Sequence, residues 1–186
     1  GDIPDIPVDL SGQFSHGFVA GYDNIIYFAT QNNGGFQQFI KSYNIITGNV
    51  SDIPIGGDLC ACGYSSRWID APNGRLYYFA NEGHSFDTFS NTWQSENYPD
   101  SFRKGEPGAI SLENELIFIG GRGPVKTTTV YNIETNQWGN LADYPYETKA
   151  PGVITYNGDI YAIGGDHTQN KMNKYNRINN EWVSLP

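Results

Sequence analysis

The stretch Tyr161-Ala162-Ile163-Gly164-Gly165, followed by Tyr175 and Trp182 and closed by Pro186, decides the fold, because the same order recurs upstream. One copy earlier it reads Ile117-Phe118-Ile119-Gly120-Gly121, then Tyr131, Trp138 and Pro145. Two further copies have lost the Gly pair. One reads Tyr77-Tyr78-Phe79-Ala80-Asn81, then Phe86, Trp93 and Pro99; the other reads Ile26-Tyr27-Phe28-Ala29-Thr30, then Tyr43, Val50 and Pro54. All four keep an aromatic seven residues ahead of the Trp position: Tyr43 with Val50, Phe86 with Trp93, Tyr131 with Trp138, Tyr175 with Trp182. Self-similarity at about 44 residues marks a repeat architecture whose units bury their faces only against one another.

Within a copy, the local signals are those of short strands and tight turns. Gly152 to Tyr156 precedes Asn157-Gly158, the dipeptide best suited to a two-residue hairpin because both positions tolerate positive φ; Asn73-Gly74 holds the same place in the second copy. The turns at Ile133 to Gln137 and Ile178 to Glu181 then join a strand carrying Tyr to one carrying Trp. Each copy is thus expected to be a four-stranded antiparallel meander, and the chain all-β. The expected blades span about 11–54, 55–99, 100–145 and 146–186 in one domain, after a linker over 1–10. Tyr43, Phe86, Trp93, Tyr131, Trp138, Tyr175 and Trp182 are the expected core between stacked sheets, each worth roughly 3 to 5 kcal/mol if lost. Gly120-Gly121 and Gly164-Gly165 mark a bend or a close backbone approach where a Cβ would clash.

A Gly pair after an apolar strand, followed by Tyr and then Trp, resembles the kelch repeat, and the likeness covers nearly the whole chain. It implies propeller blades. A WD-type repeat fits less well, since the Trp-Asp dipeptide does not occur. Kelch propellers usually have six or seven blades, whereas this sequence supplies four copies. The expectation is a four-bladed ring closed within one chain, ahead of an open arc completed by a second copy or another chain, or a piece of a longer propeller. The Asp5-Ile6-Pro7-Val8-Asp9-Leu10 segment echoes Asp52-Ile53-Pro54-Ile55 and Asp58-Leu59, as an interblade linker would. The chain opens on Gly1 with no charged-then-apolar leader, which suits a processed or excised chain.

Composition removes several functional classes. With 20 Asp and Glu against 11 Lys and Arg, the net charge of -9 disfavours nucleic acid and anionic membranes as partners. Apolar runs such as Ile25 to Ala29 are too short to span about 30 Å of hydrocarbon, so no membrane insertion is expected. Cys60 and Cys62 suit neither a mutual disulfide nor a complete zinc site. His16, His84 and His167 lie in different repeats without metal-ligand spacing and read as solvent-facing loop residues. No nucleophile elbow or paired-carboxylate constellation stands out. Nor does the copper or epimerase chemistry of some kelch-like enzymes, so no metal, cofactor or catalysis is expected. Asn49-Val50-Ser51 is a glycosylation sequon, making Asn49 a candidate acceptor if the protein is secreted.

Function is therefore sought in loops held by a rigid scaffold. One set follows the Gly-pair positions: Gln31 to Gln38, Glu82 to Ser85, Arg122 to Lys126, and Asp166 to Lys171. A second joins the blades: Ser11 to His16, Gly56 to Arg67, Ser101 to Glu106, and Tyr146 to Lys149. The kelch resemblance implies that both sets share one face. Within them Phe36, Arg103, Arg122, Tyr146 and His167 are residue types that anchor interfaces, and His16 joins them by position. The leading expectation is a protein-interaction scaffold with a protein partner. Self-assembly into a ring or fibre, and glycan binding by a secreted propeller, are the competing classes.

Overall fold

The computed structural model describes residues 13–32, 38–53, 67–79, 82–99, 105–123 and 125–186, with backbone alone for 13–22, 28–32, 38–39 and 67. Among these residues there is no helix, and sixteen strands form four antiparallel sheets. The first sheet holds β1 (Gln13–Tyr22), β2 (Ile25–Asn32), β3 (Gln38–Asn44) and β4 (Val50–Ile53). The second holds β5 (Arg67–Asp70), β6 (Arg75–Phe79), β7 (Gly83–Asp87) and β8 (Thr92–Glu96). The third runs through β9 (Gly108–Leu112), β10 (Glu115–Ile119), β11 (Thr128–Asn132) and β12 (Gln137–Leu141). The fourth comprises β13 (Gly152–Tyr156), β14 (Asp159–Ile163), β15 (Met172–Asn176) and β16 (Glu181–Leu185). Every sheet is a simple meander in chain order, as propeller blades are.

The spacing of seven has a geometric cause. In the third sheet Asn132 pairs with Gln137 at the end of a four-residue loop, so Tyr131 stands directly across from Trp138. Tyr175 and Trp182, Phe86 and Trp93, and Tyr43 and Val50 hold the same register. Ring centroids lie 5.0 Å apart in the third sheet and 5.1 Å apart in the second and fourth. Tilted pairs at this distance add about 0.5 to 1.5 kcal/mol beyond the area they bury.

The loops that set this register share one design. Asn44, Asp87, Asn132 and Asn176 each accept backbone N–H bonds from the residues two and three positions on, at 2.9 to 3.2 Å. Four positions after each stands a residue in the left-handed region: Gly48, Asn91, Asn136 and Asn180. Asn and Gly are the residues that tolerate it best. Backbone bonds from Ser90 and Phe89 hold the Asp87 carboxyl below its ordinary range, with Arg75 nearby adding to the effect.

Strand-entry hairpins are less uniform than their sequences imply. Asn157 and Gly158 both have positive φ, at 51° and 80°, as a two-residue turn requires. In the second sheet, where Asn73-Gly74 was expected to do the same, only Gly74 does. Pro72 holds the second position of an Ala71–Gly74 turn, closed by a bond from Gly74 N–H to the Ala71 carbonyl at 3.1 Å. Proline's locked φ suits that position, and the loop lengthens to accommodate it.

The sheets stack in chain order, with β1 adjoining β5, β5 adjoining β9 and β9 adjoining β13. Tyr27, Ile40 and Ile53 pack on Leu76 and Phe86; Ile69, Tyr77 and Phe79 pack on Leu116, Phe118 and Tyr131; Ile117 and Ile119 pack on Ile160, Ala162 and Tyr175. Phe86, Tyr131 and Tyr175 are enclosed, whereas Trp93, Trp138 and Trp182 are half-buried. Two of these indoles reach outward for a reason. Trp138 donates to the Asn97 carbonyl at 2.6 Å and Trp182 to the Ala142 carbonyl at 3.1 Å, tying each sheet to the linker that enters it. Between the second and third sheets, Glu96 accepts from the Tyr131 hydroxyl at 2.8 Å. Burial and that carboxylate together push the Tyr131 phenol far up from its ordinary value.

Closure within one chain, the sequence-based expectation, is not what the described residues adopt. No contact comparable to those between successive inner strands joins β13 back to β1, and the stack is an open arc. Each stacked pair is specified by its own matched side chains, and nothing in the repeat pattern itself fixes how many units complete the turn.

Candidate functional site

The loops after β10 and β14 are built from the Gly pairs. Gly120 and Gly164 have φ of 70° and 63°, and Gly121 and Gly165 have φ of 148° and 97°. At Gly120 a Cβ would lie 2.5 Å from the Thr148 carbonyl oxygen, and at Gly165 it would lie 2.6 Å from Thr148 Oγ1. Both pairs therefore admit one strand of backbone, the linker that carries Thr148. Gly120 N–H bonds the Thr127 carbonyl and Gly164 N–H the Lys171 carbonyl, each at 2.9 Å, closing equivalent loops in the two sheets.

The linker over 142–151 is threaded between these loops. Thr148 takes a bond from Gly121 N–H at 3.1 Å and donates its own N–H to Val125 at 3.2 Å, while Asp166 N–H bonds the Lys149 carbonyl at 2.8 Å. Ala150 N–H then reaches the Glu106 carbonyl at 2.8 Å, and Arg122 N–H the Gly105 carbonyl at 2.5 Å. Thr148 and Thr168 are buried and share a hydroxyl bond of 2.7 Å. Glu106 is also buried, and Lys149 Nζ lies 2.6 Å from Glu106 Oε2 and 3.5 Å from Asp166 Oδ2. A buried carboxylate compensated this closely anchors the platform, since removing its partner would leave an unpaired charge. Burial raises the Tyr144 phenol, and a 2.7 Å bond from Asn173 opposes that rise.

Several side chains of these loops and of the linker face solvent. Arg122, Lys126, Glu147, Asp166, His167 and Lys171 are exposed, and His167 is held at a φ of 68°. Tyr146 is half-buried, its ring 6.0 Å from that of Tyr144, with Lys171 Nζ 5.5 Å from its centroid. Arg122, Tyr146 and His167, chosen from sequence, thus sit on the two interwoven loops and their linker.

The other expected positions do not join them. Phe36, Arg103, Cys60, Cys62 and the linker over 1–10 lie outside the described residues. His16, read as an interblade loop residue, instead lies within β1, where the register with β2 shifts between Ser15 and Val19. His84 is likewise a strand residue, in β7, with its Nε2 3.3 Å from Glu82 Oε2. Pairing with β2, and with β6 and β8, carries these strands further than the loop reading allowed. Asn49 is exposed beside the β3–β4 turn. Among the described residues no group of three or more His, Cys, Asp or Glu is placed to hold a metal, and no helix is long and apolar enough to cross a membrane.

Comparison with known proteins agrees with this architecture. The chain is 35% identical over 78 residues to Kelch-like protein 8 of Caenorhabditis elegans, covering 40% of this chain and 10% of that protein. It is 31% identical over 58 residues to Kelch-like protein 3 of Homo sapiens, covering 30% of this chain and 10% of the relative. Over these segments the repeats are similar to those of kelch proteins. A third kelch relative, Kelch-like protein 40 of Xenopus tropicalis, is 30% identical over 81 residues, 40% of this chain and 13% of its own length. The chain spans only about a tenth of each curated kelch relative, and no family model matches it.

Proposed function

We propose that this kelch-type chain is a non-catalytic protein-interaction scaffold whose partner docks on the loops that follow the Gly pairs and on the linkers woven between them. The observation that carries the reading is the platform around Thr148. Two loops and a linker are locked by backbone bonds, while Arg122, Lys126, His167 and Lys171 stay exposed. Rigid backbone lowers the entropy lost on docking, and Arg and Tyr, here Arg122 and Tyr146, are residue types that commonly anchor interfaces. Arg103, by its place in the sequence of the preceding linker, and Phe36, by its place in the equivalent loop of the first repeat, extend the proposed surface.

Affinity measurements on each partner captured by the chain test this reading. Alanine at Arg103, Arg122 and His167 together is expected to weaken binding at least about 30-fold, corresponding to roughly 2 kcal/mol of anchor energy. A control altering Phe89 and Ile178, exposed on the β7–β8 and β15–β16 turns, should leave affinity unchanged. Unchanged affinity in the triple variant, with loss in the control, would move the docking surface to those turns.

A further inference from the structure

Each sheet has a backward side, facing the preceding sheet, and an onward side, facing the next. On the onward side of the third sheet Ile117 and Ile119 are enclosed beneath the fourth. Register places Tyr161 and Ile163 at the same points of the fourth sheet, with Ile154 beside them on β13. There Ile163 is 42% exposed and Ile154 52% exposed, against 0% for Ile119. The first sheet shows the converse. Its backward side carries Ile26, Tyr43 and Val50, all half-buried, at the positions where Ile160, Tyr175 and Trp182 meet the third sheet.

We propose that the onward side of the fourth sheet docks on the backward side of the first sheet of a second copy of this chain, so that two copies close one ring of eight sheets. The contact continues the three interfaces already present, in each of which a row of aliphatic and aromatic side chains meets the ring position held by Phe86, Tyr131 or Tyr175. Among the described residues β13 does not adjoin β1 as the other inner strands adjoin one another. The charges that would be covered are already neutralised, by Lys174 with Asp159 at 2.6 Å on the fourth sheet and Lys41 with Asp52 at 2.5 Å on the first. Eight lies within the range of propeller blade numbers, and a head-to-tail contact that closes after two copies leaves no open face. Four strands about 4.8 Å apart and five residues long present roughly 300 Å² of projected face. Four such faces are covered in the pair, near the roughly 1,200 Å² at which stable interfaces begin.

Sedimentation of the purified chain at micromolar concentration tests the proposal, and the expected mass is that of two chains. Ile163→Asp should raise the dissociation constant at least tenfold with an unchanged far-UV dichroism spectrum, since the side chain is exposed within one copy. Ile154→Asp, on the neighbouring strand, is the second variant should Ile163→Asp fail to fold. Tyr43→Ala should weaken the pair from the other side, and mixing it with Ile163→Asp should recover a dimer through the one contact that remains intact in the mixture. A mass of one chain throughout, a dimer indifferent to Ile163→Asp and Ile154→Asp, or open-ended polymers would each overturn it.

Discussion

The third and fourth sheets are close copies, yet their onward sides differ. Ile119 is sealed under Ile160 and its neighbours, whereas Ile163, at the identical register point, is 42% exposed. A following sheet covers one and none of the described sheets covers the other, and at the Val130 position of the third sheet the fourth carries Lys174. Stability in such an array is a sum of units and of contacts between nearest neighbours, so a side chain's worth depends on whether its neighbour is there.

The widest separation should come from the ring positions. Tyr131→Ala removes an enclosed ring and its bond to Glu96, and calorimetry should show a loss of about 3 to 5 kcal/mol, lowering Tm by roughly 10 °C. Tyr43→Ala, at the half-buried counterpart in the first sheet, should cost less than half as much in the dilute chain. Equal losses would break the distinction between enclosed and end sheets.

The Gly pairs sharpen the same comparison at smaller scale. Gly120→Ala places a Cβ 2.5 Å from the Thr148 carbonyl at a φ of 70°, while Gly164→Ala meets nothing nearer than 3.8 Å at a φ of 63°. Backbone strain of about 1 kcal/mol is common to both. Urea denaturation should therefore show Gly120→Ala to be the more damaging by about 1 kcal/mol or more.

Much of the fold was legible because it depends on local spacing. An offset of seven from Tyr to Trp is that of directly opposed residues across a four-residue loop, so one spacing reveals strand, turn and register together. The Gly pairs could likewise be read as sites of close approach. What they approach, Thr148, was not legible, because the partner lies in a linker rather than in the repeated strands. The Glu106 and Lys149 ion pair was missed for the same reason: its members belong to successive linkers, one repeat apart. Pro72 overrode the Asn73-Gly74 signal through its own φ, a competition that dipeptide reading does not weigh. His16 and His84 were misplaced because strand ends are set by pairing partners, which are remote in sequence.

The most direct test of stacking in chain order is paired denaturant unfolding of Ile119→Ala and Ile163→Ala at submicromolar concentration. The stacked-sheet account predicts a loss of about 2 to 5 kcal/mol for Ile119→Ala and under about 1 kcal/mol for Ile163→Ala. Indistinguishable losses would contradict it.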